Sequence, residues 1–82
     1  MIKVSFAFHL RRTLGTDGVE VDADSVRAML RELSRRYGRP FDEAVGTCKV
    51  IVNGTNVAFL RGEATRLADG DEVALLPPLA GG

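Results

Sequence analysis

One strongly amphipathic segment, residues 26–37, separates two groups of strand-like segments, and this arrangement limits the folds open to the chain. Its apolar side chains recur at helical spacing and leave arginines and Glu32 on the opposite face. The apolar positions are Val26, Met29, Leu30, Leu33 and Tyr37. Asp24 or Ser25 is suited to cap the first turn, and Gly38 to end the helix. Since one helix can cover only one face of a sheet, the pattern predicts an α+β fold.

Strand patterns lie on both sides of this helix, and turn residues separate them. The predicted strands alternate apolar and polar side chains or are rich in β-branched residues. They are residues 2–8, 19–21, 48–52, 57–60 and 72–76. Turn sequences occur at 15–18, at Asn53-Gly54 and at Asp69-Gly70, whereas Pro40 and Gly46 bracket a short turn of helix. If the first and last strands pair in parallel, the order β-β-α-β-β-β is a ubiquitin-like β-grasp. This fold has a mixed sheet of four to five strands with one main helix packed on one face.

Length and charge restrict the classes of function. Eighty-two residues form a single domain with one modest core. Eleven Lys and Arg residues balance eleven Asp and Glu residues, so no net charge draws the chain to nucleic acid or to an anionic membrane. The start of the chain has no signal-peptide pattern, and a single cysteine suits a reducing compartment. We therefore expect a cytoplasmic protein without nucleic-acid or membrane partners.

The polar residues do not form a recognisable catalytic or metal site. One histidine, His9, and one cysteine, Cys48, are far apart in sequence and provide no zinc-ligand spacing. His9 is expected at the surface at the end of the first strand, and Cys48 is expected to face the core, where a thiol is a poor nucleophile. Asp69, Asp71 and Glu72 fit a turn followed by the start of a strand. We expect no bound cofactor and no metal.

The most specific motif is the C-terminal one, residues 77–82, which follows the last predicted strand directly. Pro77 and Pro78 fix φ and remove two backbone donors, which ends the strand and directs the chain away from the domain. Gly81 and Gly82 have no side chains, so they can pass through a narrow slot and leave a terminal carboxylate open to activation. The expected organisation is a β-grasp domain over residues 1–78 and a flexible diglycine tail over residues 79–82.

Several of these strings resemble the MoaD/ThiS family of ubiquitin-like sulfur carriers, and within it the branch of molybdopterin synthase small subunits. The similarity covers nearly the whole length and is weakest over residues 23–47. Its most specific part is the Asp-Gly-Asp-Glu-Val block at 69–73 followed by the Pro-Pro-x-Ala-Gly-Gly ending at 77–82. Leu75-Leu76 departs from the family, which often has aromatic residues just before the double proline.

The resemblance implies a carrier that is not itself catalytic. An E1-like adenylating enzyme would use ATP to activate the Gly82 carboxylate, and a sulfur donor protein would convert it to a thiocarboxylate. The large subunit of molybdopterin synthase would then accept the tail and pass its sulfur to a pterin precursor, while Gly81 supplies clearance. The residues expected to form the tail and the partner surface are Leu76, Pro77, Pro78, Leu79, Ala80, Phe59 and Leu60.

Three alternatives remain open at this level. The same activated terminus could carry sulfur for another product, such as the thiazole of thiamin or an amino acid. It could instead be joined to lysine side chains, as in a ubiquitin-like modifier. A third alternative is an interaction module that has the β-grasp fold but does not use its terminus, and this alternative predicts no effect of deleting Gly81 and Gly82.

Overall fold

A computed structural model describes residues 1–77, and these residues contain one five-stranded mixed sheet with strand order β2-β1-β5-β3-β4. The strands are β1 (Ile2–Phe6), β2 (Gly18–Val21), β3 (Lys49–Val52), β4 (Thr55–Asn56) and β5 (Glu72–Leu76). The central strand, β5, is parallel to β1, with Val4 opposite Val73, and antiparallel to β3. β2 pairs with β1 in antiparallel fashion. The predicted α+β β-grasp is therefore confirmed.

The main helix, α2 (Val26–Tyr37), forms where the sequence predicts it. The Ser25 side-chain oxygen accepts a hydrogen bond from the Ala28 amide at 3.1 Å, which caps the first turn. Gly38 ends the helix with φ of 72°, and its amide donates to the Ser34 carbonyl. The buried face of α2 packs on one face of the sheet. The core of the described residues comprises Ile2, Val4, Phe6, Leu10, Val21, Val26, Met29, Leu33, Phe41, Val50, Val52, Val57, Leu67, Val73 and Leu75.

A helix that the sequence analysis missed follows β1. The predicted first strand extended to Phe8, but β1 ends at Phe6, and α1 covers His9–Leu14. Phe8 has φ of 54°, which turns the chain out of the strand direction. Leu10 on α1 is fully buried, so the new helix adds a side chain to the core. His9 is exposed as expected, but it begins a helix rather than ending a strand.

The predicted return strand at residues 57–60 is wrong. β4 contains only Thr55–Asn56, and a 3-10 helix follows at Val57–Phe59. The cause is local, because the Asn56 side-chain oxygen accepts from the Ala58 amide at 2.8 Å and starts this turn. The turn at Asn53-Gly54 is present, with both residues at positive φ.

Two further helical segments complete the described chain. The short helical turn predicted near Pro40 is α3 (Arg39–Val45), which buries Phe41. A second 3-10 helix covers Gly62–Ala64. None of the helices formed within residues 1–77 combines the length and the apolar character needed to cross a membrane.

Candidate functional site

The predicted tail follows the most central strand of the sheet. β5 lies between β1 and β3, and its last residues pair with both neighbours. Phe6 lies opposite Leu75, and Lys49 lies opposite Leu76. The Ala7 amide also donates to the Leu75 carbonyl at 3.3 Å. The end of β1, the end of β5 and the start of β3 therefore meet at one edge, which we call the tail edge.

The two faces of β5 have different surroundings, as its alternating side chains require. Val73 and Leu75 are buried in the core with the apolar face of α2, whereas Ala74 and Leu76 are only partly buried. Leu76, which the sequence analysis assigned to the partner surface, thus lies on the face of β5 opposite Val73 and Leu75. Pro77 is buried in the free chain, although the sequence analysis grouped it with the partner-facing residues. Pro77 continues the alternation along β5, in which Val73, Leu75 and Pro77 are buried and Ala74 and Leu76 are partly exposed.

Among the predicted partner-facing residues that the structure describes, Phe59 and Leu60 are the most accessible. Phe59 is 83% exposed and Leu60 is 47% exposed. Phe59 and Leu60 follow β4, which is the edge strand of the sheet. Since β3 lies between β4 and β5, these two residues are separated from the end of the central strand by one strand. Large exposed apolar side chains of this kind are typical of surfaces that bind other proteins.

Sequence reasoning missed a second exposed aromatic residue, Phe8. Its side chain is 59% exposed, and it follows Ala7 directly at the tail edge. The alternation of residues 2–8 assigned Phe8 to the buried face of a strand. A positive φ in a non-glycine aromatic residue is rare, and no local sequence signal predicts it.

Five tail residues of the predicted site, Pro78, Leu79, Ala80, Gly81 and Gly82, lie outside the described residues. Their assigned roles, and the boundary between domain and tail, remain predictions.

The carboxylates before β5 stabilise a turn rather than form a metal site. The Asp71 carboxylate accepts from the Ala68 amide at 2.8 Å and from the Asn53 side-chain amide at 3.1 Å. These hydrogen bonds, that from Ala68 first, hold the pKa of Asp71 below its usual value. The side-chain oxygen of Asn53 in turn accepts from the Glu72 amide. Over residues 1–77, no group of three or more His, Cys, Asp or Glu side chains is arranged to hold a metal ion.

The single cysteine is poorly suited to covalent chemistry. Cys48 lies just before β3, is partly buried and packs against the core as predicted. Its thiol donates to the Ala44 carbonyl at 3.4 Å. Burial raises the pKa of the thiol, which lowers the thiolate fraction at neutral pH. Nucleophilic chemistry at this position is therefore disfavoured.

The chain is similar to several known proteins over nearly its whole length. The chain is 38% identical to the molybdopterin synthase sulfur carrier subunit of Escherichia coli strain K12, with 100% of both chains covered. It is 31% identical to the sulfur carrier protein CysO of Mycobacterium tuberculosis strain H37Rv, over 99% of this chain and 98% of that protein. The solution structure of small archaeal modifier protein 1 from Methanosarcina acetivorans superposes with a TM-score of 0.89 at 27% identity, over 99% of this chain and 95% of that one.

The model of the ThiS family matches residues 6–82, which include the tail edge, both prolines and the two final glycines. Together with the β-grasp topology and the relatives above, this match shows that the chain belongs to the ThiS family of ubiquitin-like sulfur carriers.

Proposed function

We propose that this protein is the sulfur-carrying small subunit of a molybdopterin synthase, and that the carboxylate of Gly82 carries the sulfur. The observation that carries the proposal is the position of the tail motif at the end of the central strand. There β5 is held by β1 and β3 on both sides and ends beside exposed apolar side chains. The relative named as a molybdopterin synthase subunit matches over the full length of both chains, which favours this pathway.

In the proposed chemistry, an oxygen of the Gly82 carboxylate attacks the α-phosphate of ATP on an E1-like adenylating enzyme, and pyrophosphate leaves. A sulfur donor protein then delivers hydrosulfide, whose sulfur attacks the acyl carbon, displaces AMP and leaves a thiocarboxylate. The large synthase subunit holds the active site and takes the sulfur, so this chain supplies a reactive group without catalysing a step. We propose that the carrier and its three partners act in the cytoplasm.

Gly81 and the residues before it have a steric role in this proposal. A glycine next to the reacting carboxylate lets the backbone enter an active site too narrow for a side chain. Leu79, Ala80 and Pro78 form the extended connection, and Leu76, Phe59 and Leu60 provide apolar surface for the partners. The raised pKa of Cys48 supports sulfur transfer at the C-terminus rather than through a persulfide on the thiol.

Mass spectrometry tests the proposed chemical group directly. The protein is incubated with the adenylating enzyme, ATP and a sulfur donor, and its intact mass should increase by the exchange of one oxygen for sulfur. Fragment ions that contain Gly82 should carry the whole increase. A mass increase located at Cys48 would contradict the proposal, because it would identify a persulfide carrier.

A substitution at Gly81 separates clearance from folding. Gly81→Val should leave the melting temperature nearly unchanged while it abolishes most thiocarboxylate formation, since a β-branched side chain restricts the backbone and widens the tail. Gly46→Val is a control for adding the same side chain elsewhere, because an added Cβ at Gly46 meets no atom within 4 Å. Normal product formation by Gly81→Val would refute the narrow-slot argument.

A second candidate function is protein modification, since the structural relative is named as a modifier. In that case the same acyl adenylate would pass to a lysine amine and form an isopeptide bond. Expression of a tagged chain in its own organism distinguishes the functions. A series of high-mass conjugates would favour the modifier, whereas free carrier with a terminal thiocarboxylate would favour sulfur transfer. Sulfur delivery to another product is a third candidate, since one relative is named sulfur carrier protein CysO. Molybdopterin formation in an assay with the large synthase subunit would argue against this third candidate, and its absence would favour it.

A further inference from the structure

Phe8 combines two properties that do not help the fold. Its backbone has φ of 54° and ψ of −131°, a region that L residues other than glycine rarely adopt and that costs free energy when a bulky residue occupies it. Its aromatic side chain is also mostly exposed, so it adds little to the core that would offset this cost. Strained residues of this kind occur preferentially at functional sites.

Two arginines lie beside this aromatic ring. Phe8, His9, Arg11 and Arg12 line one shallow groove of about 380 Å³, and the latter three belong to α1. Both arginines are exposed. Arg11 lies 4.0 Å from the Asp17 carboxylate, and both of these side chains are largely in solvent, so the pair is weak. Over residues 1–77, Arg12 has no salt bridge.

The position of the groove relates it to the tail. Phe8 follows Ala7, whose amide donates a hydrogen bond to the Leu75 carbonyl. Leu75 precedes Pro77 by two residues. On the other side of β5, the exposed Lys49 lies opposite Leu76. The groove therefore lies next to the end of the strand from which the tail leaves, on the side of β1.

We propose that this groove binds an acidic segment of the adenylating enzyme that takes up the tail, with an apolar side chain of that segment against Phe8. The inference rests on the proposed function and adds the chemistry of the partner surface. Within residues 1–77, Arg11 forms only one weak ion pair and Arg12 forms none, so their positive charges favour carboxylates in the partner. The exposed ring requires apolar contact that a small anion does not offer, which favours a protein segment over a free phosphate. The strain at Phe8 then has a functional reason, because it presents the ring beside the end of β5.

Kinetics of carrier adenylation test the surface. Pyrophosphate exchange is measured with the adenylating enzyme encoded by the same organism, while the concentration of the full-length carrier is varied. The double variant Arg11→Glu/Arg12→Glu should raise the KM for the carrier about tenfold or more and leave kcat nearly unchanged, since these charges act on association. Added salt should raise the KM of the unmodified carrier and affect the variant less. The control Arg31→Glu/Arg66→Glu makes the same charge change on other elements and should leave KM unchanged.

Two substitutions at Phe8 separate strain from contact. Phe8→Ala removes the ring but keeps a residue with a Cβ, so KM should rise without a gain in melting temperature. Phe8→Gly removes both, so KM should rise by a similar factor while the melting temperature increases by several degrees. A melting temperature that does not increase for Phe8→Gly would contradict the inference that the backbone at Phe8 is strained.

The failures of the two proposals are distinguishable. If the unmodified carrier is not adenylated at all, the proposed function is wrong, and this inference fails with it. If the unmodified carrier is adenylated and the variants at Phe8, Arg11 and Arg12 keep its KM, only the docking groove is wrong. An equal rise in KM for the control with Arg31 and Arg66 would also refute the groove, because it would indicate a general effect of charge.

Discussion

Neighbouring leucines at the end of β5 should have opposite roles, and their truncation tests the orientation of the strand. Leu75 is 0% exposed and packs in the core, whereas Leu76 is only partly buried and points to the face of the sheet away from α2. Leu75→Ala removes buried methyl groups and leaves a cavity, which typically costs about 2–5 kcal/mol. Leu76→Ala should cost about 1 kcal/mol or less, because most of its contacts are not core contacts.

These costs translate into melting temperatures that are easy to measure. For a domain of 82 residues, 1 kcal/mol corresponds to a shift of roughly 6 °C. Leu75→Ala should therefore lower the melting temperature by about 12–30 °C. The total stability of a domain of this size is roughly 4–12 kcal/mol. A cost near 5 kcal/mol for Leu75→Ala would therefore unfold the protein at room temperature if its stability lies at the low end of this range. Leu75→Met, which nearly conserves volume, should cost less than about 1.5 kcal/mol and keeps the comparison possible.

Thermal unfolding followed by circular dichroism and a binding measurement with the adenylating enzyme give the two necessary observables. Leu75→Met should bind like the unmodified chain once it is folded, whereas Leu76→Ala should lower the melting temperature by about 6 °C or less and bind more weakly. A large loss of stability for Leu76→Ala with little effect of Leu75→Ala would refute the assigned strand phase. It would also move the partner surface to the face that α2 covers.

Three further predictions concern single features of the described chain. An added Cβ at Gly18 would lie 2.3 Å from the Val4 carbonyl oxygen, so Gly18→Ala should destabilise the protein by about 1–3 kcal/mol in chemical denaturation, whereas Gly46→Ala should not. Ser25→Ala removes the cap of α2 and should cost about 1 kcal/mol in the same assay. The pKa of Asp71 is lowered in the folded state, so its contribution is present above the unfolded pKa and is lost as pH falls through the folded value. Melting temperatures measured as pH falls from 7 to about 3 should therefore decrease more for the unmodified protein than for Asp71→Asn.

The elements that the sequence predicted correctly are those with local causes. α2 has a capping residue, a helical apolar period and a terminating glycine, and all three act within a few residues of one another. β5 is bounded by the Asp69-Gly70 turn and by Pro77, so its limits match the prediction residue for residue. The parallel pairing of β1 with β5 involves residues almost seventy positions apart, and the sequence supported it only through the order of the elements.

The elements that the sequence predicted wrongly depend on contacts that the pattern of apolar and polar residues does not show. Residues 2–8 alternate perfectly, but a hydrogen bond from Ala7 to the end of β5 and the burial of Leu10 favour a turn at Phe8. The segment after Asn56 is apolar enough for a strand, yet the Asn56 side chain satisfies the Ala58 amide and starts a 3-10 turn. The candidate site was therefore predicted along β5 and at Phe59 and Leu60, but not at Phe8.

The central position of β5 explains how one strand can serve both the core and a partner. Val73 and Leu75 on its inner face lie in the core. Because β5 is hydrogen-bonded to β1 on one side and to β3 on the other, its last residues cannot shift without breaking both pairings. The burial of Pro77 extends this fixed region by one residue. A partner that docks against Phe8 and Leu76 therefore meets the start of the tail at a defined place, and the number of residues beyond Pro77 sets how far Gly82 can reach. Since each extended residue adds at most about 3.3–3.6 Å, inserting one residue after Pro78 would displace the reacting carboxylate by up to that distance, while the contacts within residues 1–77 would be kept.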